Sequence, residues 1–125
     1  MQNLLFSFNG RVNRAKFWLV GIAVGVAEAI AFGIITALFG GGMDPSTGMP
    51  QFSAVGGILM LIVFIAVFWI SLAIGVKRWH DRNKSGWWIL IIFVPLVGGL
   101  WYLIECGFLK GTTGANQYGA DPLAA

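Results

Sequence analysis

Three long apolar stretches, separated by short polar segments, dominate the pattern of residues along the chain. They cover residues 17–39, 53–76 and 86–104. Each is close to the roughly 20 apolar residues that a helix needs to cross a bilayer core of about 30 Å. The pattern predicts an all-α integral membrane protein with three transmembrane helices. A short interfacial segment precedes the first helix, and an irregular C-terminal tail over 105–125 follows the third.

The third stretch is less regular than the other two, because Pro95 and the Gly98-Gly99 pair interrupt it. Proline removes a helix hydrogen bond, and glycine loosens the turn that follows. We expect a full span with a proline kink, since neighbouring helices commonly satisfy the freed carbonyl. The alternative is a re-entrant hairpin that enters the membrane and returns on the same side.

The cations lie beside the apolar stretches and predict the orientation. Four of the eight Lys and Arg residues fall in the loop 77–85, and none falls in the connection 40–52, which we expect to be flexible. Three others precede the first stretch, namely Arg11, Arg14 and Lys16. Lys and Arg in short flanking loops resist translocation, so both clusters should face the cytoplasm. Lys110 would lie on the far side if the third stretch spans fully.

Composition narrows the classes of function. The chain has 125 residues, of which 58% are hydrophobic and 10% charged, so we expect a single membrane domain over 1–125. Cys106 is the single cysteine, which excludes an intramolecular disulfide and a cysteine-based metal site. With one His and no carboxylate cluster, we expect no metal, no cofactor and no catalytic residues. Membrane orientation explains the basic loops better than nucleic-acid binding does.

The segment VKRWHDRNKSGWW, residues 76–88, is the strongest local signal. Its cations and tryptophans suit a membrane interface, where long basic side chains reach the head groups and aromatic rings lie between water and lipid. Asp-Arg-Asn-Lys-Ser-Gly is a turn sequence, and its serine is placed to cap the third helix. The candidate functional or clamp residues in it are Arg78, His80, Asp81, Arg82, Lys84 and Ser85.

Two roles are open for Asp81. A carboxylate beside His80 would orient the ring for a proton relay or for binding an anionic group. However, neighbouring residues on a helix point about 100° apart, so the two side chains need not meet. Asp81 could instead pair with Arg11 or Arg14 and hold the N-terminal segment against the loop. We favour this structural clamp.

Four segments also resemble a known family in order and spacing. They are FNGRVNRAKFW, KRWHDRNKSGWW, VPLVGG and GTTGANQYGADP. The chain resembles the domain of unknown function 805 family, small inner-membrane proteins of bacteria, over roughly residues 6–122. The matching positions are Gly10, Arg11, Arg14, Phe17, Trp18, Arg78, His80, Asp81, Ser85, Gly86, Trp87, Pro95, Gly114, Asn116, Tyr118, Gly119, Asp121 and Pro122. Trp79 departs from the more usual Leu. The resemblance implies a polytopic inner-membrane protein and supplies no activity.

The first apolar stretch carries a stripe of small residues and one carboxylic acid. The stripe recurs every four residues, at Gly21, Gly25, Ala29 and Gly33, and such spacing lets another helix approach closely. Glu28 lies near the stripe and near the middle of the stretch. An ionisable residue there costs about 3 kcal/mol on insertion scales, so we expect a partner on another span or another subunit.

These features predict a small multi-pass protein of the bacterial inner membrane with a cytoplasmic N-terminus. The favoured function is that of a non-enzymatic accessory or scaffolding module. It would pack with itself or with a larger membrane complex and contact anionic lipid at its cytoplasmic face. The alternative is a small proton-coupled carrier or relay that uses Glu28.

Overall fold

Two long helices joined by a β-hairpin open the fold in this computed structural model, which describes residues 6–123. A shorter helical segment follows them. In chain order the elements are α1 (Arg14–Phe39), β1 (Gly40–Met43), β2 (Pro50–Phe52), α2 (Ala54–Asp81), a 3₁₀ helix (Gly86–Phe93), α3 (Val97–Tyr102) and a π-helix (Leu103–Phe108).

Helices α1 and α2 are each long and apolar enough to cross a membrane. Within the most apolar window of each, only 6% of the residues of α1 and 11% of those of α2 are buried. Such bare apolar surface is rare on the core helices of a soluble protein, which bury their apolar face. The mostly helical fold is therefore that of a membrane protein.

The connection 40–52, which we expected to be flexible, contains a β-hairpin. Strands β1 and β2 pair antiparallel, with Gly40 opposite Phe52. Asp44 closes the turn, since its Oδ1 accepts hydrogen bonds from the Ser46 amide at 2.8 Å and hydroxyl at 2.6 Å. Asx turns of this kind stabilise tight reversals. The protein is thus not purely α-helical.

Both long helices differ from the predicted spans at their ends. Helix α1 begins three residues early, because Asn13 Oδ1 accepts a hydrogen bond from the Lys16 amide at 2.8 Å and caps the first turn. Helix α2 continues through 77–81, which we had placed in the loop. The helix ends before Asn83, whose φ of 59° is left-handed. Asparagine tolerates that conformation better than most residues do.

The third apolar stretch folds back on itself, so the continuous path expected of a full span is not found. The 3₁₀ helix has eight residues and rises about 2 Å per residue, or about 16 Å, which is too short for a bilayer. The chain then reverses around Pro95. Leu96 takes a left-handed φ of 63° there, a strained conformation for a non-glycine residue.

Contacts between the two arms show the reversal directly. The rings of Trp88 and Trp101, one from each arm, have centroids 6.0 Å apart. Gly98 faces the carbonyl oxygen of Ile91 so closely that an added Cβ would overlap it. Beyond the arms, Lys84 and Glu105 form an ion pair of 2.6 Å. The two ends of the stretch therefore meet.

The chain divides into two compact units. One comprises the residues up to Gly21 together with those from Trp69 onward, and the other comprises residues 22–68. We call them the basic unit and the apolar unit, because all eight Lys and Arg residues lie in the first. The basic unit has a core of Trp79, Ile89 and Cys106, against which Phe17, Leu72, Val76, Ile91 and Tyr102 pack.

Candidate functional site: a buried arginine–aspartate cluster

Asp81, the last residue of α2, is the centre of a buried ion cluster in the basic unit. Its Oδ1 pairs with Arg11, at 3.0 Å from Nε and 2.9 Å from Nη2. Its Oδ2 pairs with Nη1 of Arg78, one helical turn earlier. The side chains of both arginines are at most 1% exposed. We refer to Arg11, Arg78 and Asp81 as the ion cluster.

Arg78 uses all three of its nitrogens within the protein. Besides pairing with Asp81, Nη1 donates to the carbonyl oxygen of Val12 at 3.2 Å. Its Nε and Nη2 donate, each at 2.6 Å, to the carbonyls of Cys106 and Leu109. One guanidinium therefore joins α2 to the segment before α1 and to the segment after α3. Such planar, multiple donation is specific to arginine.

Arg11 extends the same network into the tail. Its Nη1 donates to the Gly114 carbonyl at 2.7 Å, and its Nη2 donates to the Thr112 carbonyl at 2.6 Å. The Thr112 amide in turn donates to the Asp81 carbonyl at 2.7 Å. Gly111 lies against Asp81 so closely that a Cβ would overlap the carboxylate. The tail is therefore a fitted part of the cluster.

The charged groups of the cluster pair with one another and with the backbone, as expected of a clamp. It holds two guanidinium groups and one carboxylate, and backbone carbonyl oxygens take up the remaining donors. Of the two pairings expected for Asp81, the one with Arg11 is formed. Arg14 instead donates to the Phe108 carbonyl at 2.8 Å. Carbonyl oxygens can share the excess positive charge of a buried pair, which would otherwise be costly.

The His80 ring is oriented by groups other than the Asp81 carboxylate among the described residues. The Nδ1 of His80 lies 2.9 Å from the Gly10 carbonyl oxygen. Its ring stacks on Tyr118, with centroids 4.0 Å apart and planes 3° from parallel. The His80 carbonyl accepts a hydrogen bond from Asn116 Nδ2 at 2.9 Å. His80 is thus a second point at which the tail is attached.

A separate charged group closes the base of the hairpin formed by the third apolar stretch. Glu105 accepts from Trp101 Nε1 at 2.9 Å, pairs with Lys84 at 2.6 Å, and lies 3.5 Å from Arg82 Nε. Burial opposes its ionisation, but the hydrogen bonds from Lys84 and Trp101 and the two positive charges leave its pKa below the ordinary value. A full span would place Glu105 and Trp101 near the far end of the third stretch, but both lie at the basic loop.

Two smaller features concern the predicted cap and the cysteine. Ser85 Oγ accepts a hydrogen bond from the Trp87 amide at 3.3 Å and caps the 3₁₀ helix, as predicted. Cys106 is fully buried, and this burial raises the pKa of its thiol to about 12. A thiol in that state is inert.

Among residues 6–123 no three His, Cys, Asp or Glu side chains are grouped to hold a metal.

The burial of each Lys and Arg side chain determines whether it can contact lipid. Arg78 is 0% exposed and Lys77 is 2% exposed. Arg82 and Lys84 are partly exposed and pair with Glu105. The expectation that Arg78 contributes to a lipid-binding surface is therefore wrong. The most exposed cations are Arg14, Lys16 and Lys110.

In the apolar unit, Glu28 lies in an open groove. The groove is lined by apolar and small residues of α1 and α2, which are Gly25, Ala29, Phe32, Met60, Val63 and Phe64. Across the described range 6–123, Glu28 has no hydrogen bond or ion pair. The polar partner expected on the second or third stretch is absent from that range.

The small-residue stripe is likewise uncovered. A Cβ added at Gly21, Gly25 or Gly33 would meet nothing within 4 Å, and Ala29 is exposed. By contrast, Gly56 at the start of α2 lies under Phe39, where an added Cβ would come within 2.7 Å of the phenylalanine Cβ. Close helix packing within the apolar unit therefore uses Gly56 and leaves the stripe free.

Sequence reasoning missed the role of the segment 107–119. Trp18 Nε1 donates to the Gly107 carbonyl at 2.7 Å, and a Cβ at Gly107 would lie 2.8 Å from the Trp18 ring. Because most of the tail contacts are made through backbone carbonyls, they leave little trace in residue type. In the sequence, the contacts of this segment are indicated by Gly107 and Gly111, since each glycine allows a close approach of backbone to a side chain.

Comparison with known proteins gives a family for this arrangement. Residues 5–120 match the family described as "Protein of unknown function (DUF805)". The chain belongs to the DUF805 family. The inner membrane protein YhaI of Escherichia coli (strain K12) is 31% identical over 116 residues, which cover 92% of this chain and 85% of the relative. This DUF805 protein is therefore an inner-membrane protein of bacterial type.

Two further relatives of this DUF805 protein come from the same strain. The inner membrane protein YhaH is 31% identical over 115 residues, covering 92% of this chain and 86% of the relative. The protein named "Uncharacterized protein YiiR" is 29% identical over 150 residues, covering 97% and 89%. No solved structure matches the chain.

Proposed function

We propose that this protein is a multi-pass scaffolding or accessory module with all its cations on the cytoplasmic side. Helices α1 and α2 would each cross the membrane, with the β-hairpin at the periplasmic face. The re-entrant hairpin would return to the cytoplasmic side, so the tail would lie there too. This layout puts all eight cations on one side, including Lys110, which a full span would place opposite.

The observation that best supports the proposal is how the charged groups of the basic unit are used. The ion cluster and the Glu105 group tie chain segments to one another through hydrogen bonds and ion pairs. A catalytic site needs groups that converge on an open position where a reacting atom can sit. A clamped basic unit is better suited to holding a fixed surface towards lipid or a partner.

For lipid contact, we assign the exposed cations Arg14, Lys16 and Lys110. Each Lys or Arg near an anionic membrane surface contributes about 1 kcal/mol of attraction, so three together give useful binding. Trp87, in the same unit, is 79% exposed and supplies an interfacial ring. Arg78 has no part in this surface.

The experiment is to measure retained lipid after purification in mild detergent. The Lys16→Gln/Lys110→Gln variant should retain less phosphatidylglycerol and cardiolipin per protein than the wild type. Thr113→Ala/Gln117→Ala is the matched control, since it changes two exposed tail residues without changing charge. Equal anionic lipid in all three proteins would contradict the lipid assignment.

For packing with itself or a larger complex, the uncovered stripe on α1 is the assigned surface. Small residues let helix backbones approach in the membrane, where dispersion packing drives association. Gly25→Leu/Ala29→Leu should lower the crosslinked fraction of the protein or change what copurifies with it. Ala66→Leu, at an exposed position of α2, is the control. An unchanged assembly in the double variant would remove the stripe from the account.

A second candidate, a proton-coupled carrier, is supported by the open position of Glu28. An unpartnered carboxyl group in a membrane helix is a reasonable functional hypothesis. Against it, residues 22–68 contain only one other charged residue, Asp44 in the hairpin turn. On the helical parts of this unit no second ionisable residue accompanies Glu28 to continue a proton path. Proton uptake by proteoliposomes that is lost in Glu28→Gln would favour the carrier.

A further inference from the structure

A groove on the basic unit runs beside His80 and differs in character from the ion cluster. It has a volume of about 550 Å³, within the range of small-molecule sites. Its walls are apolar side chains of the second and third stretches, Leu72, Val76, Trp87, Ile89 and Leu90. Its polar end is formed by His80, Ser85 and Asn9. The groove therefore combines a long apolar wall with a small polar end.

The orientation of His80 determines what the polar end can bind. Its Nδ1 lies 2.9 Å from the Gly10 carbonyl, which can only accept, so Nδ1 carries the proton. In the neutral ring Nε2 is an acceptor. No donor to it is found in the part of the chain that the structure describes.

Two neighbouring residues shape the space next to Nε2. A Cβ at Gly86 would lie 3.4 Å from Nε2 and 2.6 Å from Val76 Cγ1, so glycine keeps this end of the groove open. Ser85 Oγ accepts from the Trp87 amide, which leaves its hydroxyl hydrogen free to donate. An acceptor and a donor thus line one end, which is the complement of a hydroxyl group.

We propose that this groove binds a single acyl chain of a membrane amphiphile, with an uncharged hydroxyl of its head group donating to His80 Nε2. The walls belong to apolar stretches of a membrane protein, so lipid chains are the apolar groups at hand. A peptide would bring unpaired backbone groups against apolar walls, which is costly. A monoacylglycerol has the required chain and head. The inference does not depend on the scaffolding role.

The test uses a photoactivatable fatty alcohol in phosphatidylcholine nanodiscs that contain the full chain. Crosslinks should concentrate on peptides bearing residues 85–90. Competition by 1-oleoylglycerol should exceed competition by methyl oleate, which has the same chain and no hydroxyl donor, by roughly five- to tenfold. His80→Asn keeps a donor near the Nδ1 position and removes Nε2, so it should abolish that preference.

A pair of leucine variants tests where the acyl chain binds. Leu90→Trp should block the groove and lower the crosslinking to the level of general surface labelling. Leu100→Trp is the matched control, because both leucines are exposed, 50% for Leu90 and 61% for Leu100, and Leu100 lies outside this groove. Protection of Cys106 from maleimide shows that each variant is folded.

Two results would overturn the proposal. Labelling that spreads along the apolar surface, or that Leu90→Trp leaves unchanged, would refute the acyl-chain site. Equal competition by the two oleoyl compounds, unaltered in His80→Asn, would refute the hydroxyl assignment.

Discussion

Asp81 and Glu28 lie on long apolar helices, yet their surroundings are opposite. Asp81, in the basic unit, is 3% exposed and contacts two arginines. Glu28, in the apolar unit, is exposed and has no polar contact among residues 6–123. The difference teaches that a charged side chain in the basic unit joins chain segments to one another, whereas the carboxyl group of the apolar unit joins none among the described residues. The following predictions test that contrast, from the largest expected effect to the smallest.

Removing Arg78 should have the largest effect. Arg78→Met leaves the carbonyls of Val12, Cys106 and Leu109 without their donor and removes one of the two partners of Asp81. Breaking a buried pair in this way costs about 3–5 kcal/mol. The loss of stability can be measured by heating the protein with a maleimide dye. Cys106 is the single cysteine and is buried, so the dye reacts with it only when unfolding exposes it.

Lys16→Met is the control for Arg78→Met, because Lys16 is exposed and its removal should change stability by no more than about 0.5 kcal/mol. Arg78→Lys should also destabilise, since an ammonium group cannot reach acceptors on three segments at once. If Arg78→Met melted like the wild type, the ion cluster would not hold the unit together.

A smaller loss is expected from Gly111→Ala. The added Cβ would overlap the Asp81 carboxylate, so the tail backbone must move, at a cost of about 1–3 kcal/mol. Gly99→Ala is the matched change, because a Cβ there meets nothing within 4 Å and alanine favours the helix. Limited proteolysis after residue 109 measures release of the tail. Equal protection of both variants would contradict a fitted tail.

Glu28→Gln should leave the stability of the isolated chain almost unchanged, because Glu28 makes no polar contact within residues 6–123. The expected change in the free energy of unfolding is below about 1 kcal/mol, in line with measured intramembrane hydrogen bonds. The Cys106 melting experiment measures it. A loss comparable to that of Arg78→Met would show that Glu28 is as deeply engaged as Asp81.

The smallest effect is expected on the melting temperature when the pH is lowered. The pKa of Glu105 is lowered in the folded protein, so the ionised group stabilises the fold above its ordinary pKa of 4.5. That contribution is lost as the pH falls through the folded value. We expect the melting temperature to decrease below pH 4.5, and Glu105→Gln to lessen the decrease. Because Lys84 and Arg82 are partly exposed, solvent screening keeps the effect modest.

The sequence predicted what depends on hydrophobic pattern and residue type. The two long helices, the Ser85 cap and one of the two pairings offered for Asp81 all follow from local rules. The path of the third stretch did not follow, because both a kinked span and a hairpin satisfy the same apolar pattern. The deciding contacts, such as Lys84 with Glu105, join residues 21 positions apart and cannot be inferred from local pattern alone.

The tail was harder still to predict, because its attachment is made through backbone atoms. Arg11 and Arg78 donate to carbonyls of Cys106, Leu109, Thr112 and Gly114, and every residue type carries a carbonyl. The basic residues were interpreted as a signal of membrane orientation. Their additional role as buried hydrogen-bond donors to the backbone was therefore not predicted. A cation that orients a membrane segment can also be buried and serve as a structural donor.

Labelling of single cysteines in intact cells tests the central claim, that the third stretch returns and leaves the tail with the basic loop. Gln117→Cys and Met49→Cys introduce thiols at exposed positions of the tail and the β-hairpin, while the native chain, with Cys106 buried, gives the background. A membrane-impermeant maleimide should label Met49→Cys from outside and should label Gln117→Cys only after the cells are opened. Labelling of Gln117→Cys in intact cells would contradict the account.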